Sequence, residues 1–281
     1  MKEVATNSPE ALPTYHVKAR NTSTSSENKI HDDQTARQYG FRGALVPGVT
    51  VYAYLTHPLV EAFGAAWLER GTANVRFAKP IHDGEEVLVA GVVTARDARS
   101  LTATLTASTS AGGQCAALTA TLPAGAPVPV NLAMYPAAPL PAERPPATCE
   151  HFARLDALGT PVNPYDDARA AEYLDRVSDA LPIYRGARGF THPGFFLDQA
   201  NKALSQNVLM SPWIHAGSVV RHLGGARIGE TLATRGRVRS LFEKKGRQFV
   251  EADLVIVAGD RPRPVAHVLH TAIYRLPPPA R

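Results

Sequence analysis

From Gly48 onward the chain places Val49, Tyr52, Ala53, Thr56, Leu59, Val60 and Phe63 at helical spacing, a continuous and largely apolar stripe. Four segments follow, 72–78, 86–95, 101–108 and 114–122, rich in Val, Thr and Ala and divided by turns with Gly, Asp or Ser. They read as strands. Leu197, Ala200, Leu204 and Val208 mark a second helix, and 218–222, 231–241, 249–257 and 264–276 a second set of strands. One long helix followed by an antiparallel meander predicts a sheet wrapped around a helix, with the helix as core.

A Pro/Ala-rich stretch separates the two sets. Residues 123–147 include Pro123, Pro127, Pro129, Pro136, Pro139, Pro141, Pro145 and Pro146, too many for a helix or an inner strand, and predict an extended linker. Units at 1–122 and 148–281 flank it. The halves also repeat one another in order. Asn28-Lys29-Ile30-His31-Asp32-Asp33 has its counterpart in Asn163-Pro164-Tyr165-Asp166-Asp167, each followed by a helical stretch reaching a tyrosine, Tyr39 or Tyr173. Pro47-Gly48 returns as Pro193-Gly194, Val75-Arg76-Phe77 as Val220-Arg221-His222, and Gly84-Glu85 as Gly229-Glu230. The offsets are 135, 146, 145 and 145 residues. Four matches in one order predict a duplication with one loop lengthened.

At 281 residues and 44% hydrophobic, the chain can bury one large core or two ordinary ones. Its two cysteines, Cys115 and Cys149, cannot build a disulfide framework, which favours a reducing cytoplasm. Residues 1–9 have no apolar stretch of the kind a secretory signal needs. The run from Ala44 to Leu55, interrupted by Pro47, Gly48 and Thr50, is too short to span a bilayer. A net charge of +5 is small for this length. The densest basic tract, Arg235, Arg237 and Arg239, would line one face of a strand, most simply a solvated one, with no interleaved aromatics to stack bases. Nucleic acid and membrane are therefore not expected partners. His267 and His270 would face opposite sides of a strand, and His215 and His222 lack zinc-site spacing, so no metal site is predicted. No nucleotide-binding glycine pattern or nucleophile elbow occurs, and no cofactor is expected.

The segment Glu27-Asn28-Lys29-Ile30-His31-Asp32-Asp33, followed by Gly40-Phe41-Arg42-Gly43 and Pro47-Gly48, sets a histidine in a polar turn, then a short helix, then a bend opening the long helix. This order resembles the MaoC-like dehydratases and (R)-specific enoyl-CoA hydratases, whose motif reads Asp-x-Asn-Pro-x-His with a His-Gly pair before the central helix. Asn28, His31 and Gly48 match that motif. Ser26 stands at its Asp, Lys29 at its Pro and Pro47 at the His of the pair. The resemblance implies an α+β tandem (double) hotdog fold, two halves mimicking the dimer that single-hotdog proteins form. Association of two such chains into a homodimer is compatible with it. It implies an acyl thioester of coenzyme A or an acyl carrier protein as substrate.

Adding water across an enoyl thioester needs a base for the water, an acid for the α-carbon, and donors at the thioester oxygen. The resemblance implies His31 as the proton-transfer group, Ser26 in the place of the acid, and the Gly48 N–H as the oxygen's donor. Asn28 suits fixing the turn, Tyr52 the wall of an acyl tunnel, and Arg76 a substrate phosphate or an ion pair within the sheet. Pro161 and Asp166 stand at the acid and histidine positions of the second half, so the first half is the better candidate. Two alternatives follow from Ser26: a hotdog thioesterase using Glu27, Asp32 or Asp33, and a binding protein without turnover.

Overall fold

The computed structural model describes residues 10–277; the stretch at 1–9 lies outside the described residues. In chain order the elements are β1 (Glu10–Ala11), β2 (Tyr15–Lys18), α1 (Asp33–Gln38), α2 (Gly48–Arg70), β3 (Thr72–Phe77), β4 (Glu86–Arg96), β5 (Ser100–Thr109), β6 (Gly113–Pro123), α3 (Cys149–Ala153), β7 (Val162–Tyr165), α4 (Asp167–Arg176), α5 (Pro193–Ser205), β8 (Ile214–His222), β9 (Glu230–Lys244), β10 (Arg247–Ala258) and β11 (Arg263–Arg275). The strands form one sheet in the order β1-β4-β5-β6-β3-β8-β11-β10-β9-β7, with β2 also pairing β4. Read outward from the middle, each half repeats the same series: a strand joining the other half, a three-strand meander, and the strand that precedes the central helix. This is a tandem hotdog fold.

The halves join edge to edge through antiparallel β3 and β8, so neither inner edge is left open. Asn74 pairs with Val219 there, and its neighbours pair symmetrically: Ala73 with Val220, Val75 with Ser218. Asn74 and Val219 are 145 apart, the offset of the sequence repeat, so a pseudo-twofold axis passes through that pair.

Helix α2 packs against α5 and against strands of both halves. Every residue from Val49 to Val60 is buried, a wider surface than the predicted stripe, because the sheet covers one side and α5 the other. The stripe ends at Phe63 for a local reason: Gly64 has φ 53°, which interrupts the helix and redirects its last turns so that Trp67 is fully buried.

From Ala124 to Pro145 the proline-rich segment forms no strand. It carries a single 3-10 turn at Leu132–Met134 and crosses the outer face of the second half's sheet. Tyr135 packs there with Val255 and Val257, and its hydroxyl donates to Asp253 at 3.0 Å. That cover explains why β10 is buried on both faces from Leu254 to Val257. Arg237 and Arg239 pair across strands with Asp253 and Glu251, each at 3.3 Å. His267 joins Asp253 on this outer face while His270 points inward, as strand alternation requires. Among the described residues no helix is long and apolar enough to cross a membrane.

Candidate functional site

Residues 29–31 form a 3-10 turn capped by Asn28, whose Oδ1 accepts from the Ile30 N–H. The same side chain reaches the other half. Its Oδ1 accepts from the Trp213 N–H at 3.0 Å and its Nδ2 donates to the Trp213 carbonyl at 3.0 Å. A buried amide thus clamps the turn to the residue preceding β8. Ser26 Oγ accepts from the Asn28 N–H at 3.1 Å, which gives that hydroxyl a turn-holding bond.

These bonds determine the state of His31. Its Nδ1 lies 2.7 Å from the Leu45 carbonyl, which can only accept, so Nδ1 carries the proton. Nε2 therefore presents its lone pair, and the Asn28 Nδ2 lies on that side at 3.4 Å. Burial pushes the His31 pKa down, partly offset by the Leu45 carbonyl. The imidazole is neutral at neutral pH, with Nε2 available as a base.

Beside it lies the start of α2. Pro47 brings no capping side chain, so the first amides of the helix remain open at its positive end. A Cβ on Gly48 would come within 3.0 Å of His215 Nδ1 and 3.3 Å of the Phe77 ring, so glycine keeps this approach clear. Two cavities share a wall built by Asn28, His31, Pro47, Asn201 and Trp213. One, about 200 Å³, runs past Gly48 and is largely apolar, with Ile30, Leu45, Val51, Phe77 and Ile81, while Lys79 and Arg247 supply its charges. The other, about 220 Å³, is polar and holds Ser26, Arg144, Arg176, Asp198 and Lys202. Burial and the nearby Arg169 and Arg176 push the Lys202 ammonium pKa down.

The carboxylates near the turn are all engaged. Glu27 is bound by Arg144 at 2.8 Å, Asp32 caps α1 through the Thr35 N–H at 2.9 Å, and Asp33 accepts from the Ala44 N–H at 2.7 Å. Asp198 is paired with Arg176. Two residues named from the sequence stand away from the cavities. Tyr52 is fully buried on another face of α2; Val51, one helical step earlier, takes the expected place at the wall. Arg76 alternates outward from buried Val75 and lies exposed on the outer face of β3. Conversely, Trp213 and His215 border the site without having been singled out for it.

The corresponding end of α5 is closed. His192 Nδ1 accepts from the Gly194 N–H at 3.0 Å, and its Nε2–H donates to Asp179 at 3.2 Å. Asp179 also accepts from His57 Nδ1 at 3.0 Å. Burial alone would raise the Asp179 pKa, but hydrogen bonds from the two imidazoles hold its carboxyl far below the ordinary range. The second half's helix start is thus occupied by its own side chain.

Solved structures resemble this one over almost its whole length. A chain from Chloroflexus aurantiacus, provisionally described as a MaoC domain protein dehydratase, aligns with TM-score 0.64 at 11% identity, covering 96% of this chain and 95% of that one. A conserved hypothetical protein of Mycobacterium tuberculosis, described as having a double hotdog fold, aligns with TM-score 0.57 at 16% identity over 93% and 96%. One from Lactobacillus plantarum, provisionally described as an oleoyl thioesterase, gives 0.52 at 11% identity over 97% and 98%. No family model matches the sequence, and no curated protein matches it. At these identities the likeness shows the shared double hotdog fold.

Proposed function

We propose that the protein is a hydro-lyase of the MaoC-like type, hydrating an enoyl thioester of coenzyme A or an acyl carrier protein or dehydrating the corresponding hydroxyacyl thioester. One observation carries the reading: a neutral histidine, whose unprotonated Nε2 has only a long 3.4 Å contact from Asn28 Nδ2, borders a cavity that also reaches the uncapped N-terminus of α2. The Gly48 N–H would hold the thioester oxygen, where charge develops. His31 Nε2 would take a proton from water as the water oxygen bonds to the β-carbon, then return that proton to the α-carbon. One base suffices for this balance if water and α-carbon share a face of the substrate. The apolar cavity suits an acyl chain, and the solved dehydratase neighbour has the same fold.

The engaged state of Glu27, Asp32 and Asp33 disfavours a thioesterase built on any of them. It also supports a second reading, an acyl-thioester-binding protein without turnover, since among the described residues no free carboxylate stands beside His31. A panel of enoyl, hydroxyacyl and saturated acyl thioesters, scored for loss of conjugation and for thiol release, separates the three. The hydro-lyase reading expects interconversion of the first two without thiol release, abolished in a folded His31→Ala variant. Thermal stabilisation by every ligand with no turnover would replace it with the binding reading.

A further inference from the structure

We infer that His215, supplied by the second half, is a second hydrogen-bond donor of the site, its Nδ1–H sharing one acyl oxygen with the Gly48 N–H. The inference takes its ligand, an acyl thioester, from the reading above but does not need turnover. His215 lines the apolar cavity, is 6% exposed, and is held between Phe77 and His270, with ring centroids at 4.8 and 4.3 Å. Its Nε2 lies 2.8 Å from Ser218 Oγ, which in turn lies 2.9 Å from His270 Nδ1. Two ring nitrogens are left over, His215 Nδ1 and His270 Nε2, both buried and without a partner.

The hydroxyl of Ser218 has one proton and can give it to only one imidazole, so it must accept from the other. If it donates to His270, then His270 Nε2 carries a buried N–H with nothing to receive it. If it donates to His215, then His270 Nδ1–H donates back to Ser218 and Nε2 keeps only a bare lone pair. Each arrangement leaves one buried N–H without a receiver, on His270 in the first and on His215 in the second, but only His215 lines the cavity, where a ligand oxygen can receive it. A bound acyl oxygen therefore selects the second arrangement, with the proton of His215 on Nδ1.

The geometry suits a shared acceptor. The Cβ position of Gly48 lies 3.0 Å from His215 Nδ1. Adding the roughly 2.5 Å between a residue's Cβ and its nitrogen places the two donor nitrogens at most about 5.5 Å apart. Two donors each about 2.9 Å from one oxygen can stand that far apart. Burial and the neighbouring His270 outweigh the opposing pull of the Gly217 backbone and hold His215 neutral, which suits hydrogen-bond donation to a developing oxyanion without proton transfer. Ser218 and His270 act as positioning residues that keep the proton on the cavity side.

The test uses the full chain and a 2,4-hexadienoyl thioester of coenzyme A, whose absorption moves to longer wavelength when its carbonyl is polarised. His215→Gln can keep the Ser218 contact but places no donor at the Nδ1 position; His215→Asn places an amide where Nδ1 was. The wild type and His31→Ala should both show the red shift, since His31 is not a donor to the oxygen. H215Q should bind the probe with most of the shift gone, and H215N should retain it. Where enoyl turnover is measurable, H215Q should lose about 10²–10³-fold in kcat with little change in KM, the range for one such donor. A shift without turnover would sink the hydro-lyase reading and leave this inference standing. An unaltered shift in H215Q, or a wild type that binds the probe unshifted or not at all, would overturn it.

Discussion

Replacing Asn28 with Ala tests whether the two halves hold the site together. Asn28 is 6% exposed and makes two hydrogen bonds to the Trp213 backbone, both at 3.0 Å. Each such bond is worth about 1 kcal/mol net, and a buried backbone group left unpaired adds about 1–3 kcal/mol. Both cavities border the clamp, so water can reach part of the exposed backbone and the lower end of that penalty applies. The expected loss is about 2–4 kcal/mol. With an unfolding entropy of about 2.1 cal/mol/K per residue, a chain of this size should melt about 3–7 °C lower. Scanning calorimetry measures this directly. Turnover should fall more than stability suggests, by about 10²-fold, because His31 loses one of its two orienting neighbours. Asn28→Asp sharpens the test: a carboxylate can still accept from the Trp213 N–H but must face the Trp213 carbonyl. It should melt between the wild type and Asn28→Ala. A melting point within about 1 °C of wild type for Asn28→Ala would refute the clamp.

Three further outcomes are expected. Ser26→Asp can keep the bond to the Asn28 N–H and adds a carboxylate to the polar cavity; enoyl hydration should rise about 10²-fold or more, the lower part of the range for acid–base catalysis, and a decline would show a site adapted to other chemistry. Gly48→Ala brings a methyl to 3.0 Å from His215 Nδ1 and should cut turnover at least about 10-fold. Its melting point should change by less than about 2 °C, since alanine's helix preference of about 1 kcal/mol offsets the crowding; unchanged kinetics would argue against this approach as the substrate's. Acid should weaken the fold through His222, whose buried ring is pushed down to about 4 while its unfolded value is about 6.5. The unfolded chain then binds the proton first as pH falls, so stability present above pH 6.5 is lost down to about pH 4, by about 3 kcal/mol. His222→Phe should lose about 2–3 kcal/mol less between pH 7 and 4.5 in urea unfolding, and equal losses in both proteins would remove His222 from the account.

The fold was legible in the sequence because its periodicities are long. The meanders around β4–β6 and β9–β11 stand within a few residues of their predicted limits, and the 145-residue offset reappears as the pairing of Asn74 with Val219. Short strands were not legible. β1, β2 and β7 are two to four residues long and owe their existence to pairing with β4 and β9. The start of β8 was missed for another reason. Ser211-Pro212-Trp213 reads as a turn, and Gly217 sits at an irregularity in pairing with β11 that breaks the alternation. That stretch contributes Trp213 and His215 to the site. Residues brought in by the other half carry no local signature, whereas Asn28 and His31, three apart in one turn, do.

Why one helix start should be open and the other closed has a local answer. Both central helices begin at a Pro-Gly pair, and both N-termini carry the same positive end of a dipole. The residue before the proline differs. Val46 at α2 offers no acceptor, whereas His192 at α5 turns its Nδ1 onto the Gly194 N–H and is held there by Asp179. Space follows the same division. A Cβ at Gly194 would run into the Tyr173 hydroxyl and Ala53, so nothing else fits there, while Gly48 borders a cavity. An anionic ligand atom at α5 would have to displace a buried imidazole and leave Asp179 short of a partner, a cost of several kcal/mol with no compensating contact. At α2 the same atom meets open amides. The second half thus spends its helix terminus on internal packing and contributes Trp213 and His215 across the seam, which leaves the start of α2 as the open one of the two helix ends.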